Sequence, residues 1–406
     1  MTGIVAAGWR LPPAQNFSNE TLASCNGRRN GSHTDEKNRG VAGDTGDEES
    51  YGGYSPGAGG LMRAGDREFR AVGQALRRKE DDRLIVGEGR FSDDFSEDGQ
   101  VHAVMVRAPS AHARIKSIDV DGAAAMPGVL GVFTGADCLA DGLGPIPHYP
   151  LPKTKFDLKL TAADGGDVFI GPHMLLPADK VRHVGEAVAM VVAETRTAAL
   201  DAAERVEIDF EALPFALTVE QAMAEGACNV WDELPGNVLV DTQFGDKAAT
   251  DAAFAKADHV VGARFHIDRV TGVPLEPRSA LARFDPASGR YTLHAGSGGA
   301  VKQKAELALA LGIDSDRLRV LSYDVGGNFG TRNRVYVEFG LVLWAAEKLR
   351  RPVKYTATRS ESFLSDYQGR DLLTTVELAL RADGRILALR ADNISNAGAR
   401  CVSLSP

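Results

Sequence analysis

The residues best suited to chemistry form a glycine-rich stretch, Asp-Val-Gly-Gly-Asn-Phe-Gly-Thr-Arg-Asn, at positions 324–333. Gly326, Gly327 and Gly330 lie within five positions of one another. Glycine is favoured where the backbone takes a positive φ or lies close against another group. Backbone N–H groups exposed between a strand and a helix can also bind anionic oxygens. The group that this stretch contacts is therefore a nucleotide phosphate, another cofactor or a neighbouring strand.

The spacing of the glycines argues against a nucleotide phosphate. It matches neither GxGxxG nor GxxxxGK[ST], and no P-loop lysine follows. A strand–helix–strand unit predicted over residues 186–214 also lacks glycines between its first strand and its helix, where a dinucleotide-binding turn needs them. That unit is predicted to be scaffold. From the short motif alone, a purely structural turn and a contact with an anion or cofactor both stay open.

Cysteine and histidine give no pattern of metal ligands. The four cysteines are widely separated and form no CxxC pair, which excludes a zinc ribbon or an iron–sulfur centre built from them. They are expected to be unpaired thiols in a reducing cytoplasm. The nine histidines are equally scattered. We expect no metal ion held by protein ligands.

The elements that must position the loop can be read from hydrophobic periodicity. A strand is predicted over 317–325, directly before the loop, and a helix behind it with Tyr336, Phe339 and Leu343 on one face. A second helix is predicted over 303–311, ended by a glycine. Further strands are expected near residues 129–134, 186–194, 206–214, 260–270 and 289–296, and a hairpin around Asp383-Gly384.

Composition narrows the classes of function. The net charge of -9 is spread along the chain without a Lys/Arg stripe, so nucleic acid binding is not expected. No apolar run has the length of a membrane span, and no secretory signal is recognisable, so a cytoplasmic location is predicted. Residues 1–66 are rich in Gly, Asn, Asp and Ser and poor in aliphatic residues. They are predicted to be a disordered tail, unless translation begins at Met62.

Five segments taken together resemble the large subunit of the molybdenum hydroxylases, the family of xanthine dehydrogenase, aldehyde oxidase and aerobic carbon monoxide dehydrogenase. The segments occur in the family's order, at residues 77–95, 181–214, 273–285, 320–332 and 349–371. Within the family, the stretches GSGGAVKQK and GGNFGTRN are most similar to the carbon-monoxide-dehydrogenase-like branch.

The resemblance implies a mixed α/β (α+β) fold with two domains of the family. The predicted boundaries are 1–66 for the tail, 67–220 for an α/β-hammerhead domain, 221–240 for a linker and 241–406 for a molybdopterin-binding domain. Only the first part of the second domain is expected in this chain.

The resemblance also implies which residues contact the cofactor, namely Gly298, Gly326, Gly327, Asn328, Phe329 and Gly330. Gly326 and Gly327 would permit close approach of the molybdenum centre, and Gly330 would make the turn into the helix. Phe329 would wall the substrate channel. The resemblance thus gives a provisional answer for the loop, which would lie against a molybdenum cofactor.

Two residues of this set depart from the family's pattern. Asn328 replaces the third glycine of the loop. Gly298 stands where family members commonly carry a glutamine that donates a hydrogen bond at the metal centre. Either water or Asn328 supplies that contact, or the centre differs electronically.

No catalytic residue is assigned within this chain. The family's general-base glutamate is expected in the missing C-terminal half, and Glu276 in Pro-Leu-Glu-Pro-Arg is expected to be a hydrogen-bonded structural residue. Arg359, Glu361 and Arg370 are expected to form a salt-bridged surface turn, with contact to the cofactor or a partner chain as the alternative.

The sequence therefore favours the N-terminal half of a molybdenum-dependent oxidoreductase large subunit. Its expected cofactor is molybdenum–molybdopterin in the cytosine dinucleotide form. Its expected partners are an iron–sulfur small subunit and an FAD medium subunit, assembled as a dimer of heterotrimers. The substrate is a small molecule, and carbon monoxide, purines, aldehydes and N-heterocycles all stay open. The alternative is a catalytically inactive fragment that serves as a subunit-assembly module; in either case the isolated chain is expected to be inactive.

Overall fold

The computed structural model describes residues 73–151 and 160–402. The disordered tail predicted for residues 1–66 lies outside the described residues. Part of the predicted hammerhead domain, residues 67–72 and 152–159, lies outside them as well.

The described residues fall into two compact units. The smaller one, residues 73–88, contains helix α1 (Asp81–Ile85). Asp81 and Asp82 lie in the first turn of this helix, where negative charge is favourable because the exposed N–H groups carry partial positive charge. All other elements belong to the larger unit, residues 89–402.

The larger unit combines strands and short helices. Its strands in the described residues are β1 (Val101–Arg107), β2 (Ala113–Asp119), β3 (Val129–Thr134), β4 (Lys180–Val181), β5 (Ala187–Ala193), β6 (Glu207–Ala212), β7 (His259–Thr271), β8 (Ser279–Asp285), β9 (Arg290–Ala295), β10 (Leu318–Leu321), β11 (Val353–Thr356), β12 (Gln368–Leu380) and β13 (Ile386–Ser395). Its helices there are α2 (Asp121–Ala124), α3 (Gly135–Ala140), α4 (Arg196–Ala203), α5 (Val219–Met223), α6 (Lys247–Phe254), α7 (Ala300–Leu311), α8 (Val337–Leu349) and α9 (Arg359–Ser365).

A seven-stranded mixed sheet organises this unit, in the order β10-β9-β8-β11-β1-β5-β3. The pairs β1–β11 and β9–β10 are parallel, and the other neighbours are antiparallel. Strand β1 therefore joins the N-terminal strands to those that follow residue 240, through the register Val101↔Val353. The stretch 221–240, predicted to be a linker, thus separates two sets of strands that share one sheet.

Strand β5 shows why this sheet is buried on both faces. All seven of its residues are buried. Met190 and Val192 belong to the main core, in which they cluster with residues of α8. The alternate residues Val191 and Ala193 cluster with Ala199 and other residues of α4. A continuous apolar run of strand length, as predicted for residues 186–194, is what a strand covered on both faces requires.

Two three-stranded sheets complete the fold, β4-β2-β6 and β13-β12-β7. Strands β5 and β6, joined by α4, therefore lie in different sheets rather than side by side. In the other small sheet β7 is an edge strand, exposed along nearly its whole length. Its neighbour β12 forms the predicted hairpin with β13, and Gly384 takes a φ of 84° in the turn.

Most elements predicted from periodicity are confirmed. Thr195 caps α4 by accepting a hydrogen bond from the Ala198 N–H at 3.1 Å, and Gly312 ends α7 in the left-handed conformation. Helix α8 differs from its prediction: it is buried on all sides over residues 338–346, not on one face. It packs against the large sheet on one side and against residues such as Leu175 on another, so a single apolar stripe was too narrow a description.

Candidate functional site

The glycine-rich loop lies between β10 and α8. Asp324 fixes its beginning, because Asp324 Oδ2 accepts a hydrogen bond from the Arg90 N–H at 2.8 Å, and the Asp324 N–H donates to the Arg90 carbonyl at 3.1 Å. Behind the loop, residues 331–333 form one turn of 3₁₀ helix, and α8 begins only at Val337. The predicted order of strand, loop and helix is therefore present, with a short turn inserted before the helix.

Glu276 holds the first glycine of the loop. Its Oε2 accepts a hydrogen bond from the Gly326 N–H at 2.8 Å, and its Oε1 accepts one from the Ser92 N–H at 3.1 Å. The Glu276 N–H donates in turn to the Gly326 carbonyl at 3.1 Å. A Cβ at position 326 would lie 2.5 Å from Glu276 Cβ, so a side chain has no room there. Both carboxylate oxygens are thus engaged by the backbone, which is the structural role expected of Glu276.

Two arginines fix the segment that carries Glu276. The Arg332 guanidinium donates to the Glu276 carbonyl. Arg359 donates to the Pro274 carbonyl at 2.8 Å and also to the Leu275 carbonyl. Arginine can brace two backbone carbonyls at once because its donors form a planar fork. Arg359 therefore belongs to the support of the loop rather than to a surface ion pair.

Three residues of the loop take positive φ angles: Gly327 at 115°, Phe329 at 48° and Gly330 at 88°. Glycine tolerates this conformation, whereas Phe329 adopts it at a steric cost. A Cβ at position 327 would lie 3.1 Å from the Phe329 ring and 3.2 Å from Pro274 Cα. The Phe329 side chain is 75% exposed, so it is presented to its surroundings rather than buried.

The same conformation leaves backbone donors unused. The Gly326 N–H bonds to Glu276 and the Gly330 N–H donates to Asn328 Oδ1 at 3.1 Å. Within residues 73–151 and 160–402, the N–H groups of Gly327, Asn328 and Phe329 have no hydrogen-bond acceptor. A short run of free N–H groups on a glycine-rich turn suits an oxygen-bearing, anionic group.

Gly298 lies beside the loop, and its side-chain space is occupied. A Cβ at this position would lie 1.7 Å from Asn333 Oδ1 and 2.4 Å from Asn328 Nδ2. Those two amides are hydrogen-bonded to each other at 3.0 Å. The Gly298 N–H donates to the Arg332 carbonyl at 3.0 Å, which keeps its backbone against the turn. The structure therefore brings all six predicted residues into one loop cluster and adds Asn333, which sequence reasoning did not single out.

A cavity of about 840 Å³ opens next to the loop. Phe329, Gly330 and Thr331 line it together with residues of β5, β12 and the segments that flank them. Such a volume is in the range of small-molecule and cofactor sites. Five arginines, among them Arg334 and Arg400, and three carboxylates line the cavity, so the formal charge of its lining is positive.

Buried ion pairs form part of the lining of this cavity. Glu338, on α8, is contacted by Arg107 of β1 at 2.5 Å and by Arg278 at 2.9 Å. Burial alone opposes ionisation of Glu338, but Arg278 and Arg107 outweigh it and lower the pKa of Glu338 to about 2. Arg400 likewise pairs with the buried Glu186. These carboxylates are committed to arginines and are therefore not free bases.

Glu361 and Arg370 have different surroundings from those predicted. Glu361 contacts Arg107 at 2.7 Å with only 17% of its side chain exposed, and it forms a capping box with Thr358 at the start of α9. Arg370 is exposed at the cavity, with a φ of 71°. The segment is thus part of the cavity's surroundings rather than a plain surface turn.

Two histidines form a pair near the cavity. His148 Nε2 and His173 Nδ1 are 2.9 Å apart, and the two rings stack with centroids 5.1 Å apart. Tyr367 meets both rings edge-on. Burial, then the nearby Arg334 and Arg400, lower the pKa of His148 to about 4, and burial and Arg400 lower the pKa of His173 as well. The pair is therefore held in its neutral form.

The described residues contain no cluster of side chains that could hold a metal ion. Among residues 73–151 and 160–402, no three or more His, Cys, Asp or Glu side chains come together as a possible metal site. Cys138, Cys228 and Cys401 are free thiols. In that same part of the chain, no helix combines the length and the apolar character that crossing a membrane demands.

Comparison with known families gives two matches. Residues 86–214 match the model described as "Aldehyde oxidase and xanthine dehydrogenase, a/b hammerhead domain". Residues 230–406, which include the loop, match the model described as "Molybdopterin cofactor-binding domain". The two matches together take in nearly all of the larger structural unit.

Individual proteins agree with these matches. The chain is 36% identical to nicotine 6-hydroxylase large subunit of Paenarthrobacter nicotinovorans, over 81% of this chain and 38% of that protein. It is 33% identical to carbon monoxide dehydrogenase large chain of Hydrogenophaga pseudoflava, over 79% of this chain and 39% of that protein. Its fold is similar to that of quinoline 2-oxidoreductase from Pseudomonas putida 86, with a TM-score of 0.69 and 33% identity over 77% of this chain and 38% of that one. The chain thus spans about two fifths of the length of the relatives it matches.

Proposed function

Because the chain belongs to the aldehyde oxidase and xanthine dehydrogenase family of molybdenum hydroxylases, we propose that it forms the first part of the molybdenum-cofactor site of an oxidoreductase large subunit. The carbon-monoxide-dehydrogenase-like branch is the part of the family it resembles. The observation that carries the proposal is the loop itself: Gly326 has no room for a side chain, and the N–H groups of Gly327, Asn328 and Phe329 are free among the described residues.

The residues present fit a molybdopterin cofactor. Free backbone donors at residues 327–329 suit oxygen ligands and the polar edge of a pterin. Gly298 and Gly330 leave the backbone accessible on either side of the loop. When bound, such a cofactor supplies two-electron redox chemistry, for which the protein provides position and electrostatics.

Each part of this chain has a separate task in that chemistry. The loop binds and orients the cofactor through its N–H groups, and Glu276 holds the loop in place through Ser92 and Gly326. Phe329 presents its ring to the cavity and would limit which small molecules approach. Glu338 and Glu186, both paired with arginine, keep the surrounding elements together and move no proton.

Proton abstraction from a substrate needs a free general base, which the family resemblance gives as a glutamate, and we propose that this glutamate lies outside the present 406 residues. The relatives continue well beyond the part that this chain matches, and the remainder of the cofactor site would come from the corresponding polypeptide. For this reason we expect the isolated chain to be inactive.

The substrate is proposed to be a small molecule. The relatives named above act, by their names, on nicotine, carbon monoxide and quinoline. A cavity of about 840 Å³ accommodates any of these, so its size does not choose among them. We further propose the cytosine dinucleotide form of the cofactor, an iron–sulfur small subunit and an FAD medium subunit as partners in a dimer of heterotrimers, and a cytoplasmic location.

Molybdenum analysis of the native complex tests the proposal. The full chain is purified from its own cells through an affinity tag, and molybdenum, iron and flavin are measured per chain. The expected result is about one molybdenum per chain together with iron and flavin. A complex with iron and flavin but without molybdenum would instead support the assembly module, and a chain with none of the three would disprove both functions.

A further inference from the structure

The amides of Asn328 and Asn333 occupy the position of a missing side chain. A Cβ at Gly298 would lie 1.7 Å from Asn333 Oδ1 and 2.4 Å from Asn328 Nδ2, closer than any real contact. Gly298 and this amide pair are therefore sterically linked: a residue with a side chain at position 298 requires the pair to move. Position 298 is where the resemblance to the molybdenum hydroxylases places a glutamine, itself an amide.

The hydrogen bonds fix which way each amide points. Asn328 Oδ1 accepts from the Gly330 N–H at 3.1 Å, so its nitrogen faces Asn333. Asn328 Nδ2 then donates to Asn333 Oδ1 at 3.0 Å, so the Asn333 nitrogen faces away from this bond. Each amide nitrogen carries two hydrogens. One N–H of Asn328 and both of Asn333 therefore have no acceptor within the described residues 73–151 and 160–402.

The free side-chain donor of Asn328 lies beside the free backbone N–H groups of the loop, because Asn328 is itself a loop residue. Asn328 has one free side-chain N–H and a free backbone N–H, and the backbone N–H of Phe329 beside it is free as well. The pair is also anchored from two sides, by the Gly330 N–H and by the 3₁₀ turn that contains Asn333. An amide that already makes a hydrogen bond and has unused hydrogens is suited to hold an acceptor, since part of the entropy of ordering it has been lost in folding.

We propose that Asn328 and Asn333 replace the glutamine absent at position 298 and supply the side-chain hydrogen-bond donor toward oxygen atoms of the bound molybdenum cofactor. This inference rests on the function proposed above. Asn328 orients Asn333 through their mutual hydrogen bond, and Asn333 offers the free amide hydrogens. With this donor, neither of the other two explanations for the missing glutamine, a water molecule or an electronically different metal centre, is needed.

The test removes the donors while keeping the shape. Asn333→Asp keeps an oxygen that accepts from Asn328 but replaces the –NH₂ group by oxygen. In the native complex we expect molybdenum retained after gel filtration to fall about tenfold, with an unchanged melting temperature. The matched control is Asn229→Asp, because Asn229 Oδ1 is likewise a hydrogen-bond acceptor, in its case from the Gly236 N–H at 3.1 Å, and lies outside the loop cluster. It should retain molybdenum at the wild-type level.

A reciprocal exchange tests the steric link. Gly298→Gln alone should lower the melting temperature, because its Cβ overlaps Asn333. Adding Asn328→Gly and Asn333→Ala should restore both the melting temperature and the molybdenum content. Wild-type molybdenum retention in Asn333→Asp and in the double variant Asn328→Ala/Asn333→Ala would overturn the inference. A wild-type complex without molybdenum would instead disprove the proposed function, so the two failures are distinguishable.

Discussion

Arg278 Nη2 lies 2.9 Å from Glu338 Oε1, and the two side chains are 0% and 1% exposed. Arg107 reaches the same carboxylate from β1, so one glutamate on α8 joins β1 to Arg278, the residue directly before β8. A buried ion pair of this kind is weak support for stability as such, because desolvation of both charges offsets much of their attraction. Its effect on stability appears when one partner is removed.

Glu338→Gln is therefore expected to destabilise the chain. It removes the counter-charge that Arg107 and Arg278 share, while Arg107 keeps Glu361 and Arg278 keeps Asp366, so the cost in the free energy of unfolding is about 1–3 kcal/mol. Urea unfolding of the full chain measures this. The matched control is Glu377→Gln, whose partner Arg390 lies 2.6 Å away with both side chains about one third exposed. That exposed pair should contribute less than about 1 kcal/mol, and an equal loss in both variants would contradict the argument.

Gly326→Ala tests the contact between the loop and Glu276. The added Cβ would lie 2.5 Å from Glu276 Cβ, so the loop or the Glu276 segment must shift, at about 1–3 kcal/mol. Gly299→Ala is the control, since a Cβ there meets nothing within 4 Å and its φ of -178° suits any residue. We expect a lower urea midpoint for the first variant only. Equal midpoints would show that the loop relaxes freely around position 326.

The sequence was sufficient for the elements and for the loop cluster, and particular residues show why. The apolar run of β5 and the capping of α4 by Thr195 are local features, and local patterns predicted them. The positions of Gly298 and Gly326–Gly330 followed from the resemblance to a family. Local patterns do not indicate which elements pair in the folded chain. Long-range packing decides that β5 and β6 belong to different sheets and that β1 pairs with β11.

Asn333 and Glu361 show the same limit within the site. Asn333 belongs to the glycine-rich stretch, but its link to Gly298 is seen only in the structure, where its amide occupies the space that a side chain at position 298 would need. Glu361 was expected on a surface turn because charged residues are usually exposed. Its partner Arg107 lies 254 positions away in the chain, a separation that no local pattern can indicate.

The neutral histidine pair should make stability depend on pH. An unfolded histidine titrates near 6.5, whereas burial and then Arg334, Arg400 and Lys302 lower the pKa of His148 to about 4. As the pH falls from 6.5 toward 4, His148 binds a proton in the unfolded chain but not in the folded chain. Stability is therefore complete above pH 6.5 and decreases as the pH falls, by up to about 3 kcal/mol. Urea unfolding at several pH values measures the decrease.

His148→Gln removes this titration while leaving an amide that can bond to His173. The decrease in stability between pH 6.5 and 4 should become smaller in this variant. His259→Gln on the exposed strand β7 serves as the control and should leave the pH dependence unchanged. A wild-type pH profile in His148→Gln would mean that other groups cause the acid sensitivity.

Phe329→Ala tests whether the Phe329 ring contacts the substrate or stabilises the fold. The side chain is 75% exposed, so its removal should change the free energy of unfolding by less than about 0.5 kcal/mol. Under the proposed function the ring lines the substrate's approach, and losing its contact should lower the kcat/KM of the native complex about tenfold or more, with unchanged molybdenum content. Phe363→Ala is the control, since Phe363 is 51% exposed on α9 and does not line the cavity. Equal kcat/KM values in the two variants and the wild type would show that the Phe329 ring does not contact the substrate. An exposed ring that contacts no substrate is not expected to affect the reaction.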